Sequence, residues 1–231
     1  MDIIKFKSTL VKPNTMTDYS SINTVFGICQ RALNDNLEGD FVETGVWRGG
    51  LSAIFLRKIL RQDNSKKLWL YDTFEGMPEP TAADKKMTIE DKRTATKKFK
   101  LVSDGEFSNW CRASLDVVRN TLSCVTPDYA DHTIFVKGKV EDTLIDSKNI
   151  PDKISVLRLD TDWYISTKAE MEILYPRVVE NGYIIIDDYF HWSGCKKAVD
   201  EYLISLPKAS YSKRRYDPRD KKALIIKKLA I

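Results

Sequence analysis

Histidine, paired cysteine and long apolar runs are scarce in this chain, and each scarcity excludes a class of protein. Two histidines, and four cysteines without a CxxC pair, leave few ligands for a zinc site and predict reduced thiols. No apolar run approaches the roughly eighteen residues of a membrane span, and the opening residues MDIIKFKSTLVKPNTM lack the apolar core of a signal peptide. We therefore expect a cytoplasmic protein that does not associate with a membrane.

The chain also lacks a large excess of charge of one sign. The formal net charge is +4, and a solvated hairpin explains the basic run KRRYDPRDKK at residues 213–222, so we expect no nucleic-acid partner. A hydrophobic content of 42% with 30% charged residues is typical of a globular chain. The length predicts one domain spanning 1–231, with an N-terminal helical segment at about 1–38 and a lid-like insertion at about 79–106.

Strand and helix patterns alternate along the chain. Apolar runs predict strands at residues 39–45, 67–72, 133–138, 154–160 and 183–187, followed by two closing strands at 211–216 and 223–229. Helical spacing predicts helices at 18–36, 51–60, 113–122, 166–180 and 194–206, with Ser166 as the N-cap of the fourth. Pro176 is expected to interrupt that fourth helix or to tilt its last turn. This order predicts an α/β fold: a seven-stranded, mostly parallel sheet with its last strand antiparallel and helices on both faces.

The interval between Gly76 and Asp131 is too long for a simple crossover between strands. Its polar, lysine-rich part, residues 82–100, is predicted to form a helical insertion over the carboxyl edge of the sheet. Insertions of that size in compact domains are often lids over a binding site.

Two apolar strands end in acidic residues. VLRLDTDWY places Asp160 and Asp162 after one strand, and YIIIDDY places Asp187 and Asp188 after another. The carboxyl ends of parallel strands meet at the edge where ligands bind. Adjacent strand side chains point to opposite faces, so Asp187 and Asp188 share an ion only if the chain turns there. Such a carboxylate set favours magnesium or manganese, whereas each acid taken alone is equally explained as a cap.

The segment FVETGVWRGGLS predicts a strand, a glycine turn and a helix. It has neither the GxGxxG spacing of a dinucleotide site nor the GK[ST] ending of a phosphate loop, so pyrophosphate fits poorly. Asp72, at the end of the next strand, stands where such folds bind the two ribose hydroxyls of a nucleoside. Glu43 would then pair with a cationic ammonium group. S-adenosylmethionine is a nucleoside that carries this ammonium and lacks a pyrophosphate.

Four motifs in order, ETGVWRGG, YDTFEGMP, LDTDWY and YPRVVENGYIIIDDY, resemble the macrocin O-methyltransferase (TylF-type) family over residues 40–202. The resemblance implies the class I methyltransferase (Rossmann-like) fold. It also implies an enzyme that uses S-adenosylmethionine and magnesium to methylate a hydroxyl of a small molecule, with a sugar as the expected acceptor.

The resemblance also assigns roles to particular residues. It implies that the cofactor is bound by residues at and after four strand ends: Glu43, Thr44, Gly45, Gly49, Ser52, Asp72, Thr73, Phe74, Gly138, Lys139, Val140 and Asp160. Asp160, Asp187 and Asp188 correspond to the metal carboxylates of the family. The sequence departs from the family motif DGDxYEST, since Thr161 replaces its glycine and Ile165 its acid, and these changes bear on the acceptor.

Methyl transfer from a sulfonium requires the protein to orient and deprotonate the acceptor oxygen. Asp160, Asp162 and His191 are the catalytic candidates, with Asp160 preferred as the base, while His132 is expected to be structural. The alternatives are a phenol or catechol methyltransferase, a nicotinamide-dependent oxidoreductase, a nucleic-acid methyltransferase and a binding module without activity. The sequence leaves a homo-oligomer open.

Overall fold

The structure is a computed structural model that describes residues 1–87, 95–215 and 223–230. Its strands, in chain order, are β1 (Asp40–Thr44), β2 (Leu68–Asp72), β3 (Ser103–Asp104), β4 (Phe107–Ser108), β5 (Thr133–Lys137), β6 (Ile154–Leu159), β7 (Val178–Ile186), β8 (Tyr211–Arg215) and β9 (Leu224–Lys228). Seven of them form one sheet in the order β5-β2-β1-β6-β7-β9-β8, and β3 pairs with β4 separately.

The sheet is parallel from β5 to β7 and antiparallel beyond it. β1 pairs in parallel with β2 and β6, and β9 runs antiparallel to both β7 and β8. The prediction of a seven-stranded, mostly parallel sheet with an antiparallel last strand is therefore confirmed. The chain order reverses direction between β1 and β6, and this is where open α/β sheets form a ligand crevice.

Eight α-helices accompany the strands in the described residues. They are α1 (Ile3–Phe6), α2 (Tyr19–Asn34), α3 (Gly50–Gln62), α4 (Ala95–Val102), α5 (Leu115–Ser123), α6 (Val140–Thr143), α7 (Tyr164–Ile173) and α8 (Ser193–Ile204). The predicted start of the long N-terminal helix is confirmed, since the Asp18 carboxylate accepts the Ser21 amide at 2.8 Å as the N-cap of α2. Within the described part of the chain, no helix combines the length and the apolar character needed to cross a membrane.

Two apolar layers sandwich the sheet, because successive strand residues point to opposite faces. In β1, Phe41 packs with α2 and α3, whereas Val42 packs with α7 and α8 on the other face. In β7, Ile185 and Ile184 divide in the same way. The strands are buried on both faces, which is why they appear in the sequence as continuous apolar runs.

One predicted helix, residues 166–180, is wrong at both ends. Helix α7 begins at Tyr164 and ends at Ile173, a single 3₁₀ turn carries Pro176, and β7 begins at Val178. Proline lacks the amide hydrogen that a helix interior needs, so the apolar residues beyond it belong to the strand. Ser166 lies inside α7, not at its N-cap, and its hydroxyl donates to the Trp163 carbonyl at 3.0 Å.

The insertion predicted at residues 79–106 is helical only in part. Residues 82–87 form turns and a bridge, α4 begins at Ala95, and the intervening residues 88–94 lie outside the described residues. The basic run at 213–222 is described only as far as Arg215, at the end of β8. The four cysteines, Cys29, Cys111, Cys124 and Cys195, are free thiols.

Candidate active site

A cleft of about 570 Å³ opens where the parallel strands end. Residues that directly follow β1, β2, β5, β6 and β7 line it, which is the expected ligand edge of an open α/β sheet. Residues 14–18, before α2, also line the cleft, as do Lys98 of α4 and Trp110 after β4. The N-terminal segment and the insertion after β2 therefore both contribute walls to the same space.

Three carboxylates converge at one end of the cleft. Asp160 follows β6 directly, and Asp187 and Asp188 follow β7. Each offers an oxygen, and these oxygens all lie within 4.8 Å of one another. The chain turns immediately after β7, with the Asp188 carbonyl accepting the amides of His191 at 2.9 Å and Trp192 at 3.0 Å. The turn that the sequence required for a shared ion is therefore present.

Burial and mutual repulsion raise a pKa in this group of three carboxylates. Burial, together with the negative charges of Asp187 and Asp188, holds the pKa of Asp160 well above its ordinary value, although the cation of Arg158 acts in the opposite direction. A second cation in the group would relieve this repulsion.

Arg158, on β6, connects the carboxylates of two parts of the cleft. It is 2% exposed, and its Nη1 donates to Glu43 Oε1 at 3.0 Å. Its Nη2 lies 2.8 Å from Asp160 Oδ2 and 2.7 Å from Asp187 Oδ1. One guanidinium thus holds a carboxylate of β1 and two of the three clustered aspartates in fixed positions. The sequence analysis missed this residue.

Glu43, at the inner end of the cleft, is almost fully buried. Ser52 of α3 donates its hydroxyl to one carboxylate oxygen, and Arg158 binds the other. Burial raises the pKa of Glu43 to about 7, against the lowering effects of Arg158 and Ser52. A cationic group arriving from the cleft would stabilise the ionised form of this side chain.

Gly45 serves the packing of the loop after β1. Its φ of +75° is in the left-handed region, and a Cβ there would lie 2.0 Å from the Asp160 carbonyl oxygen. The resemblance to the family places this glycine among the cofactor residues. In the structure, the close approach is to the backbone that carries Asp160, so the glycine brings the β1 and β6 strand ends together.

Asp72, at the end of β2, organises the same loop. Its Oδ2 accepts the amides of Val46 at 2.7 Å and Trp47 at 3.1 Å, and its Oδ1 accepts the amide of Phe74 at 2.7 Å. Burial raises the pKa of Asp72, and these three amides lower it. Asp72 is one of the residues that line the cleft.

The predicted cofactor residues divide into two groups by position. Those that line the cleft are Glu43, Gly45, Asp72, Thr73, Gly138, Lys139, Val140 and Asp160. Thr44, Gly49, Ser52 and Phe74 are not among its described lining residues. Two of these residues stabilise the wall of the cleft without lining it. Ser52 donates a hydrogen bond to Glu43. Gly49, which has a φ of +79°, is the N-cap of α3.

Asp162 and His191, the other catalytic candidates, both line the cleft beside the carboxylates. Asp162 has a φ of +68°, an uncommon conformation for a residue with a side chain. Trp47 and Cys111, which also line the cleft, have φ values of +49° and +52°. Strained backbone of this kind is concentrated at functional sites. His132 lies away from the cleft lining, at the start of β5.

An aromatic cluster borders the carboxylates. The rings of Trp110, Trp163 and Trp192 meet edge to face, with centroids 5.0 to 6.0 Å apart, and Trp110 and Trp192 line the cleft. The ammonium of Lys98 lies 3.5 Å from the centroid of Trp110. Trp110 and Trp192 had no role in the sequence analysis, because they come from a long insertion and from a turn without a recognisable motif.

Thr161, one of the two departures from the family motif, has a buried partner. Its hydroxyl donates at 3.0 Å to Oε1 of Glu170, which is completely buried on α7. Burial raises the pKa of Glu170 to about 8. Ile165, the other departure, is 48% exposed.

The strand order and the cleft at the carboxyl edge define a class I methyltransferase fold. The chain belongs to the macrocin O-methyltransferase (TylF) family, whose model matches residues 11–205, and it is an O-methyltransferase. The resemblance found in the sequence is thereby confirmed.

Characterised relatives cover most of the chain. It is 34% identical over 196 residues to the demethyldecarbamoylnovobiocin O-methyltransferase of Streptomyces niveus, covering 82% of this chain and 67% of that protein. It is 32% identical over 191 residues to the mycinamicin III 3''-O-methyltransferase of Micromonospora griseorubida, covering 82% and 70%. The solved structure of the O-methyltransferase NovP matches with a TM-score of 0.74 at 30% identity, covering 94% of this chain and 83% of that one.

Proposed function

We propose that this protein transfers a methyl group from S-adenosylmethionine to a hydroxyl of a sugar carried by a small molecule, with a divalent cation bound at the three clustered aspartates. The observation that carries the proposal is the convergence of Asp160, Asp187 and Asp188 within 4.8 Å at one end of the cleft, beside the buried Glu43. The names of the relatives support the same chemistry, since all three are O-methyltransferases and one of them, from Streptomyces olivaceus, is named for a rhamnosyl-tetracenomycin C acceptor.

The residues fit the proposed cofactor at both of its polar ends. Glu43 is a buried carboxylate that lacks a full positive charge of its own, because Arg158 also serves two aspartates. An ammonium group would supply that charge. Asp72, beside Thr73 and between the β1 and β5 strand ends, is placed to accept the ribose hydroxyls. Gly138, Lys139 and Val140 would border the base.

The residues also fit a magnesium or manganese ion. Three carboxylates and one guanidinium leave an excess of negative charge, which adds to burial in raising the pKa of Asp160. Oxygen ligands without a thiol or imidazole among them are the set that magnesium and manganese prefer. When bound, such an ion would polarise the acceptor hydroxyl and lower its proton affinity.

The chain's own residues would orient the acceptor and accept its proton. When bound, S-adenosylmethionine would supply the methyl group to the acceptor oxygen and become a neutral thioether, and a carboxylate of this chain would accept the hydroxyl proton. We assign that proton to Asp160, with Asp162 and His191 as alternatives in the same part of the cleft. Holding the two reactants in line contributes about 7 to 11 kcal/mol to such reactions.

The walls of the cleft would exclude water from the reacting groups. Trp110 and Trp192 offer apolar faces beside the carboxylates, which suits the carbon face of a sugar ring. Residues 14–18 line the cleft beside the glycine loop, where Asn14 Oδ1 accepts a hydrogen bond from Arg48 at 3.1 Å. These two walls come from different parts of the chain, so the cofactor and acceptor ends can be varied separately by mutation.

The experiment that tests the proposal is methyl transfer from labelled S-adenosylmethionine to a panel of acceptors, followed by mass spectrometry. The panel contains glycosylated natural products, free deoxysugars and catechols, each with magnesium, with manganese and with chelator. We expect product from a glycosylated acceptor only when a divalent ion is present. Methylation of catechols alone, or activity that survives chelation, would contradict the proposal.

A further inference from the structure

The side chain of Asp84 lies between the two loops that carry the three clustered aspartates. Asp84 belongs to the segment after β2, far from either loop in the sequence, and it is 2% exposed. Its Oδ1 accepts the amide of Tyr164 at 2.8 Å. Tyr164 is the first residue of α7, directly after the turn that contains Asp160 and Asp162. The carboxylate thereby caps a helix whose own N-cap residue, Trp163, provides no side-chain bond.

The same carboxylate packs on the beginning of α8, which follows Asp187 and Asp188. A Cβ at Gly194 would lie 1.7 Å from Asp84 Oδ1 and 3.0 Å from the Tyr164 amide nitrogen. A glycine is therefore required at this position for Asp84 to reach Tyr164. Asp84, Gly194 and the start of α7 meet at one point, so the two aspartate loops are joined through a single side chain.

Backbone contacts attach the rest of this segment to the second loop. We call residues 81–87 the clasp. Three hydrogen bonds join the clasp to the second loop. The Lys85 amide donates to the Ser193 hydroxyl at 2.9 Å, and the Ser193 amide donates to the Lys85 carbonyl at 2.9 Å. The Met87 amide donates to the His191 carbonyl at 2.9 Å. The clasp also fixes Asp84 itself, because Thr81 donates its amide and its hydroxyl to Asp84 Oδ2, both at 2.7 Å.

We infer that Asp84 is a positioning residue for the metal: it sets the distance between the Asp160 loop and the Asp187–Asp188 loop without touching the ion. This inference rests on the metal site of the proposed function. It gives the clasp a role in catalysis that the sequence does not assign to it. It also distinguishes metal binding from cofactor binding, because among the described residues no hydrogen bond joins Asp84 to the cofactor candidates at the ends of β1, β2 and β5.

Two substitutions on different elements disrupt the same contact. Asp84→Ala removes the carboxylate, and Gly194→Ala pushes it away with the new Cβ. We expect each to weaken manganese binding at least tenfold, measured by calorimetry or by the paramagnetic signal of the free ion, and to change S-adenosylhomocysteine affinity less than twofold. Asp84→Asn should recover part of the loss, because its amide oxygen can still accept from Tyr164 while its NH₂ group faces the donors of Thr81.

The double variant provides a second readout. Since both substitutions break one contact, their effects on manganese affinity should not add, and Asp84→Ala with Gly194→Ala should bind manganese about as well as either single variant. Gly27→Ala is the matched control, because no heavy atom lies within 4 Å of a Cβ at that position in α2. We expect it to bind both ligands as the wild type does.

The outcomes are distinguishable. If the wild type binds manganese and both single variants bind it equally well, or if manganese and S-adenosylhomocysteine affinities fall together, Asp84 is only structural and the inference is overturned. If the wild type binds S-adenosylhomocysteine but no divalent ion, the metal part of the proposed function fails and the inference fails with it. Full additivity in the double variant would likewise contradict a shared contact.

Discussion

Arg158 Nη1 lies 3.0 Å from Glu43 Oε1, and the two residues are 2% and 1% exposed. This buried ion pair joins β6 to β1 beneath the cleft. The other terminal nitrogen of Arg158 binds Asp160 and Asp187, so the residue connects the part of the cleft assigned to the cofactor with the part assigned to the metal. Removing this cation would leave the carboxylates of both parts of the cleft without their shared counter-ion.

Replacing Arg158 with methionine leaves buried carboxylates without their counter-ion. Breaking a buried pair from one side costs about 3 to 5 kcal/mol, so we expect the free energy of unfolding in urea to fall by that amount. Lys168→Met removes a cation from an exposed pair with Glu172, whose side chains are 48% and 56% exposed, and should change stability by less than about 1 kcal/mol. Equal effects of the two substitutions would refute the structural role of Arg158.

Removing a metal carboxylate should abolish activity and spare the cofactor. We expect Asp187→Asn and Asp188→Asn to lower manganese affinity at least about tenfold, a difference of about 1.4 kcal/mol, while S-adenosylhomocysteine affinity stays within about twofold. Calorimetric titration of each ligand measures this. Asp116→Asn, in an acidic residue that is 81% exposed, is the control. Full methylation activity in both variants would contradict the assignment of these aspartates as metal ligands.

The stability of the protein should depend on pH through Glu170. Burial raises the pKa of Glu170 from an ordinary 4.5 to about 8, so between these values the folded protein holds a proton that the unfolded chain has released. The free energy of unfolding therefore falls as pH rises through this window, by at most about 1.4 kcal/mol per unit. Glu170→Gln has no such proton, so its urea stability should decline less than the wild type between pH 5 and pH 8. Parallel curves would contradict this.

The aromatic cluster should matter for the acceptor and not for the cofactor. Trp110→Ala removes an apolar wall beside the carboxylates, and we expect KM for the acceptor to rise about fivefold, equivalent to about 1 kcal/mol. Affinity for S-adenosylhomocysteine should be unchanged, and Trp110→Phe should retain most of the wild-type KM. A larger change in cofactor affinity than in acceptor KM would contradict the placement of Trp110 at the acceptor end of the cleft.

The sheet and the clustered aspartates could be predicted from the sequence because both depend on local patterns. Buried parallel strands appear as apolar runs, and residues directly after them meet at one edge, so Asp160 and Asp187 were brought together by topology alone. Arg158 was missed although its signal was present. An arginine inside an apolar strand requires a buried partner, and Glu43 stands on a strand that the same topology places alongside.

Asp84 and Trp110 could not be predicted in the same way. Both lie in the long interval between Gly76 and Asp131, where no periodicity indicates which residue contacts the sheet edge. Their partners, Gly194 and Trp192, follow a turn whose path depends on the tertiary structure. The end of α7 at Ile173 could not be predicted for a different reason: the apolar spacing of the helix continues past Pro176 into β7.

The most direct test of the central claim is calorimetric titration of S-adenosylhomocysteine and of S-adenosylmethionine into the wild-type protein, with magnesium and then with chelator, and with NAD as the control ligand. The account predicts micromolar binding of both methionine-derived ligands, no binding of NAD, and a separate saturable site for the divalent ion. Absence of binding in either condition, or binding of NAD, would contradict it.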